Sequence, residues 1–365
     1  MRIQEFIDVL EAYAPPAYQE DFDNAGLLVG DAARECTGVL VTHDATEAVI
    51  EEAAANGCNL VVAYHPILFK GLRRITGKTY VERVVTKAIK GDISIYAIHT
   101  NLDNIKDGMN SRIAACLGLQ DLAPLEPKKG QLKKLYVFVP KDHAGKVRQA
   151  IFDAGGGHIG RYDACSFNTE GTGTYRAGEG AEPFIGQIGE FHKEPEIRIE
   201  IIFPAPAERS ILEAMVKAHP YEEVAYDLVT LDNAHQGLGN GWIGTLPEPM
   251  GEEAFLHLLK DAFHLSVVRH SPLRAKPVRK VAVCGGAGSF LTGKAIGAGA
   301  DWLVTADLKY HEFFAAEDRI VLADIGHFES EQYTPGLLYD ILREKFRTFA
   351  IFISKVRTNP VHYFL

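Results

Sequence analysis

Gly57-Cys58-Asn59-Leu60-Val61-Val62-Ala63-Tyr64-His65 opens on a glycine, runs through apolar residues and stops on an imidazole. A second stretch, Gly299-Ala300-Asp301-Trp302-Leu303-Val304-Thr305-Ala306-Asp307, lines up with it and stops on a carboxylate. Short apolar runs bounded by glycine and polar residues read as strands buried on both faces, the mark of a parallel sheet covered by helices. The pattern extends outward from each run. Residues 37–42 form a strand, 46–56 a helix, 60–63 a strand, 80–89 a helix and 93–98 another buried strand. The same order returns late, with strands at 278–284, 302–305 and 320–324, helices at 291–298 and 311–316, then a helix at 337–346 and a strand at 349–353. The chain therefore belongs to the α/β class, with two similar α/β lobes forming a discontinuous core.

Between the lobes the texture changes. Strands at 135–140, 165–168, 196–203 and 224–231 and helices at 144–154 and 209–218 give the order β-α-β-β-α-β. That is the order of an inserted ferredoxin-like α+β domain. The domains expected are residues 1–128 for the first lobe, 129–232 for the insert and 233–365 for the second lobe. The glycine cluster Gly285-Gly286-Ala287-Gly288 lacks the GxxxxGK[ST] pattern and reads as a bare strand-to-helix turn. Asp21-Phe22-Asp23-Asn24 reads as an Asx-rich turn ahead of an apolar run.

Bulk properties narrow the function. A net charge of −10 argues against a nucleic-acid coat and against an anionic membrane partner. No apolar run reaches the ~18 residues of a membrane span. The first residues read as a helix turn rather than a leader. The five cysteines are scattered and never form C-x-x-C, which points to a reducing cytoplasm and away from a thiolate zinc site.

Chemistry concentrates at strand ends, where ligands gather in α/β sheets. His65 ends one strand, and His99-Thr100-Asn101-Leu102-Asp103 follows the next. In the second lobe, His327-Phe328-Glu329-Ser330-Glu331 stands at the matching point, again as His-x-x-x-carboxylate. If the lobes are one duplicated unit, these ends converge on one cleft. Imidazoles with carboxylates suit zinc, iron or manganese. A carboxylate bridging two ions and a water activated between them make a hydrolytic site. Asp307 and His311 are candidates for orienting or proton-transfer roles, and His99 for proton transfer.

Four segments then carry a family resemblance. Asp23-Asn24-x-Gly26-Leu27-x-Val29-Gly30-Asp31, His65-Pro66-Ile67-Leu68-Phe69-Lys70-Gly71-Leu72, His99-Thr100-Asn101-Leu102-Asp103 and Gly326-His327-x-x-x-Glu331 resemble the dinuclear-metal-centre hexameric proteins. This is the Ngg-interacting-factor-like family, often labelled GTP cyclohydrolase I type 2 homologues. Gly237-Leu238-Gly239, Ile243-Gly244 and Leu246-Pro247 fit it as well. The insert resembles PII and CutA domains through Gly157-His158-Ile159-Gly160-Arg161-Tyr162 and His219-Pro220-Tyr221-Glu222-Glu223, which implies packing or oligomer roles for His158 and His219. The resemblance implies metal ligands at His65, Asp103, His327 and Glu331, with Glu331 bridging. It implies one or two divalent ions per chain, a toroidal homohexamer and a small-molecule substrate such as GTP. The family often has two adjacent histidines where this chain has Tyr64-His65, so one imidazole is lost and His99 is the residue placed to compensate. The function expected is a cytoplasmic metal-dependent hydrolase of a purine nucleotide. The rival readings are a non-enzymatic metal-binding scaffold and a metal-dependent phosphoesterase.

Overall fold

The structure, a computed structural model, describes residues 1–364. The chain divides into two compact units, Met1–Glu126 together with the chain from Gly237 onward, and Pro127–Gln236.

The first unit holds two sheets. One has the strand order Gly26–Val29, Ser94–Ala97, Leu60–Ala63, Val39–Thr42, Ile351–Ile353. Its last four strands run parallel, and Gly26–Val29 is an antiparallel edge. The other has the order Arg269–His270, Val321–Asp324, Trp302–Ala306, Val278–Ala287, Gly239–Met250, Gln120–Pro127. Here Val321–Asp324, Trp302–Ala306 and Val278–Ala287 are parallel, and Arg269–His270 is the antiparallel edge. Both sheets thus contain three parallel strands in the spatial order third, second, first, with an antiparallel strand beside the third. The matched glycines share a cause. Gly57 and Gly299 lie just past helix ends at φ +69° and +73°, where a β-carbon is strained.

Alternation along the strands builds the core. Val39, Val41, Leu60, Val62 and Tyr96 join Val281, Val283, Trp302, Val304 and Val321 in one continuous cluster shared by the two sheets. The opposite faces bury Leu40, Val61 and Ile95 under helices Glu47–Ala55 and Tyr80–Lys90, and Ala282, Leu303 and Leu322 under Thr292–Gly297. Trp302 is 1% exposed, so truncating it to alanine would cost about 3–5 kcal/mol.

Some elements differ from expectation. The glycine cluster is not a bare turn: Val278–Ala287 continues through it, with a register shift between Val283 and Ala287. Gly239–Met250 is a strand that the sequence pattern did not mark. Its Pro247 and Pro249 fall where pairing with Val278–Ala287 shifts register, after Thr245, so the missing N–H groups cost no regular ladder bond to that strand. Gln120–Pro127 and the helices Met109–Cys116 and Glu252–Phe263 were also hidden.

The second unit has the order Leu132–Pro140, Ala144–Asp153, Phe167–Arg176, Phe191–Pro204, Glu208–Ala218, Tyr226–Leu231. Its sheet order is Phe167–Arg176, Phe191–Pro204, Leu132–Pro140, Tyr226–Leu231, with every neighbour antiparallel. One face buries Leu135, Val137, Ile199 and Ile201 against Val147, Ile151, Ile211 and Met215 of the helices. No helix among the described residues is long and apolar enough to cross a membrane.

Candidate metal centre

Parallel register sets the carboxyl ends of neighbouring strands level. Thr42 pairs with Ala63 and Ala63 with Ala97, so His43-Asp44, Tyr64-His65 and His99 leave the first sheet side by side. In the second sheet Thr305 pairs with Asp324, and just beyond these lie Asp307 and the helical turn His327–Glu331. His327 and Glu331 are four residues apart and share one face of that turn.

The ends converge on one oxygen. Nε2 of His43, His65 and His327 lies 3.3, 3.3 and 3.2 Å from Glu331 Oε2. The other ring nitrogens are anchored. His43 Nδ1 is 3.0 Å from Asp44 Oδ2, His65 Nδ1 is 2.8 Å from Asp44 Oδ1, and His327 Nδ1 is 2.8 Å from Asp307 Oδ2. A ring that donates Nδ1–H to a carboxylate turns its Nε2 lone pair inward. All three Nε2 atoms thus face the same Glu331 carboxylate.

The buried atoms register that arrangement. His43 Nε2 and Glu331 Oε2 have no hydrogen-bond partner, although both are enclosed. Burial opposes charge on His65, but Asp44 and Glu331 raise its pKa to about 10. Burial likewise opposes charge on His327, yet Glu331 and Asp307 raise it to about 9. Burial would raise the Glu331 pKa, and the three imidazoles hold it well below the usual carboxylate value. The cluster therefore attracts positive charge, as protons or as a cation. His65, His327 and Glu331 offer donor atoms all within 4.8 Å of one another, a set that fits a divalent ion, and His43 Nε2 faces the same Glu331 oxygen. Asp44 also lies within reach of His43 and His65. Its oxygens already accept from both rings, so it acts as the carboxylate that orients them.

The remaining expected residues fall in different places. Asp103 lies alongside the cluster, where its carboxylate accepts the Tyr64 hydroxyl. Burial chiefly raises the Asp103 pKa to about 7, with His99 opposing and Glu331 adding to the rise. Burial, Asp103 and Glu331 push the Tyr64 phenol well above its ordinary value. His99 faces His65 with ring centroids 5.3 Å apart, and its Nδ1 is 2.8 Å from Asp23 Oδ1. Burial would raise Asp23, but bonds from His99, Thr100 and Asn24 hold it at about 2. Asp307 orients His327. His311 is exposed on the turn Tyr310–Ala316, its ring between Tyr310 and Phe314, and the structure does not bring it to the cluster.

His43 and Asp44 were not among the expected site residues. The signal was present: they follow the buried strand Val39–Thr42 directly, and His65 stands two residues past Leu60–Ala63. Gly286 also matters, because a β-carbon there would stand 2.6 Å from Glu331 Oε1, and its φ is +57°. Beside the cluster opens a cavity of about 470 Å³, walled by Val267, Arg269, Phe328, Pro360 and Tyr363.

Comparison with known proteins agrees with this architecture. The family described as Duf34/NIF3 (NGG1p interacting factor 3) matches residues 1–360. Proteins named GTP cyclohydrolase 1 type 2 homolog from Halalkalibacterium halodurans and Bacillus subtilis are 40% and 38% identical, each over 98% of this chain and 97% of their own. The crystal structure of a Bacillus cereus protein related to NIF3 superposes with a TM-score of 0.88 at 37% identity, covering 100% of this chain and 99% of that one. Staphylococcus aureus protein SA1388 superposes at 0.77 with 27% identity, covering 100% and 99%.

Proposed function

This chain belongs to the Duf34/NIF3 family, and from that premise we propose that it is a metal-dependent hydrolase acting on a purine nucleotide. One observation carries the reading: three imidazole Nε2 atoms surround a single buried carboxylate oxygen, each ring locked from behind by a carboxylate. A divalent ion held by His43, His65, His327 and Glu331 would supply Lewis acidity and a water acidic enough to ionise near neutral pH. His99, tied to Asp23 through Nδ1, keeps Nε2 to accept or return a proton. The Phe328 and Tyr363 rings offer apolar walls for a base, and Arg357 lies over Phe328 at 5.6 Å, where its cation complements phosphate. The substrate choice rests on the name shared by the relatives. We also propose the homohexamer, which a native mass measurement tests.

Purified protein loaded with zinc, iron or manganese is given GTP, and products are followed by mass spectrometry. GTP is expected to be consumed, and His327→Ala and Glu331→Ala are expected to lower turnover by more than about a hundredfold. Wild-type turnover in both variants sinks the hydrolase reading. Tight metal binding with no turnover favours a non-enzymatic scaffold instead.

A further inference from the structure

The motif His219-Pro220-Tyr221-Glu222-Glu223 and the glycine-rich strand Phe167–Arg176 meet in the second unit, around a cavity of about 720 Å³. Volumes of this size suit small-molecule ligands. The cavity lies on the sheet face opposite the two helices. Residues directly paired across strands share a face, so Gly171 and Glu196 sit on this side together, as do Thr169 and Arg198.

Glycines shape the hollow. A β-carbon on Gly171 would meet nothing within 4 Å, so its absence leaves room. A β-carbon on Gly173 would stand 2.2 Å from Glu196 Oε2, so that glycine seats the carboxylate. Glu196 is only 8% exposed, and its Oε1 accepts the Tyr221 hydroxyl at 3.0 Å. No basic side chain among the described residues ion-pairs with it. Arg198, which also lines the cavity, is bonded to Glu200 at 2.7 Å.

Aromatic rings form the walls. Tyr221 lies 6.1 Å from Tyr175 and 6.3 Å from Phe184, centroid to centroid. Backbone ties hold them. His219 Nδ1 accepts the Tyr221 N–H at 3.1 Å, and the Tyr175 hydroxyl donates to the Ile185 carbonyl at 2.7 Å. Glu222 closes the loop above by accepting the Glu182 N–H at 2.9 Å.

Charge decides among ligand classes. The lining carries Glu170, Glu196, Glu222 and Glu223 against Arg176 and Arg198, so an anion would meet a wall of net negative charge. A neutral apolar ligand would strip water from Glu196 and return nothing. A cation is drawn by the carboxylate and by the ring faces together. We infer that the second unit carries a binding site for a small organic ammonium ion, caged by Tyr175, Phe184 and Tyr221 above Glu196. The site is built within residues 127–236.

Calorimetric titration of the full chain with choline, and with its uncharged isostere 3,3-dimethylbutan-1-ol, tests this. Choline is expected to bind at least about tenfold more tightly than the alcohol, equivalent to about 1.4 kcal/mol. Glu196→Gln is expected to remove that preference. Gly171→Leu fills open space rather than displacing a neighbour, so it is expected to abolish choline binding with an unchanged melting temperature. Glu331→Ala, at the metal centre, is expected to leave choline binding intact, which separates this site from the proposed hydrolytic one. No choline binding up to about 10 mM, equal binding of the alcohol, or full binding by Gly171→Leu would each overturn the inference.

Discussion

The Thr358 hydroxyl donates to Asp44 Oδ2 at 2.6 Å, across 314 positions of chain. Asp44 is the carboxylate that also holds the Nδ1 atoms of His43 and His65. The residues after the last strand, Ile351–Ile353, thus fasten the hub that aims two imidazoles. Asn359 Nδ2 donates to Glu329 Oε1 at 3.0 Å in the same segment, two residues before Glu331.

Asp44→Ala should therefore release both rings at once while leaving every proposed ligand in place. Losing such a support typically weakens metal binding about 10- to 100-fold. Thr358→Val removes one hydrogen bond and keeps the shape, so its effect should be smaller, near 1 kcal/mol or about fivefold. Competition against a chromophoric chelator measures both. An Asp44→Ala protein with undiminished affinity would show that the rings need no such anchor.

Gly286 separates backbone need from side-chain need. Gly286→Ala places a methyl group 2.6 Å from Glu331 Oε1 at a left-handed φ of +57°. The backbone strain alone costs about 1–2 kcal/mol. The carboxylate must also shift, so thermal stability and metal affinity should fall together. Gly293→Ala is the control. It lies in helix Thr292–Gly297 with open space around it, and alanine there should be neutral or stabilising by up to about 1 kcal/mol. A Gly286→Ala protein with normal melting and normal metal affinity would refute this account.

Much of this architecture was legible in the chain because buried parallel strands leave a strong local trace. Leu60–Ala63 is apolar throughout, Trp302–Ala306 is apolar but for the buried Thr305, and a glycine precedes each at the same offset. His65 and His327 stand just past such runs, with Glu331 one helical turn beyond His327, which is why the sequence marks them as candidates. His43 was less visible, since one histidine among 14 carries little weight until its strand is known to neighbour that of His65. The convergence on Glu331 Oε2 depends on two sheets sharing a core, a long-range outcome that no local pattern encodes. His311 misled for the converse reason. It is close in sequence to Asp307, but the turn Tyr310–Ala316 carries it outward. The strand Gly239–Met250 was hidden by glycines and prolines that local preference assigns to loops.

Tyr64 offers a test by restoration. Its hydroxyl donates to Asp103 beside the cluster, and its phenol pKa is held well above the ordinary value. Tyr64→His would put an imidazole at the same strand end, between His65 and the Asp103 carboxylate. Metal content per chain, measured by elemental analysis after dialysis, should rise above that of the natural protein. An unchanged ratio would mean that Asp103 and His99 already hold as much metal as this end of the cleft can take.

Glu82 gives a pH dependence remote from the metal. Its carboxylate accepts from the Thr76 N–H at 2.7 Å, the Thr76 hydroxyl at 2.8 Å and the Lys78 N–H at 3.1 Å, pinning the loop that returns from His65 to helix Tyr80–Lys90. Thr79 caps that helix by accepting the Glu82 N–H at 3.2 Å. The backbone bond from Thr76, followed by its hydroxyl and Lys78, lowers the Glu82 pKa from 4.5 to about 2. A carboxylate depressed on folding stabilises the native state above its unfolded pKa, and that contribution fades as pH falls through the folded one. Urea midpoints of the natural protein and Glu82→Gln should therefore differ fully above about pH 5 and converge towards about pH 2. A difference that stays constant across that window would mean the loop is held by shape rather than by the charge on Glu82.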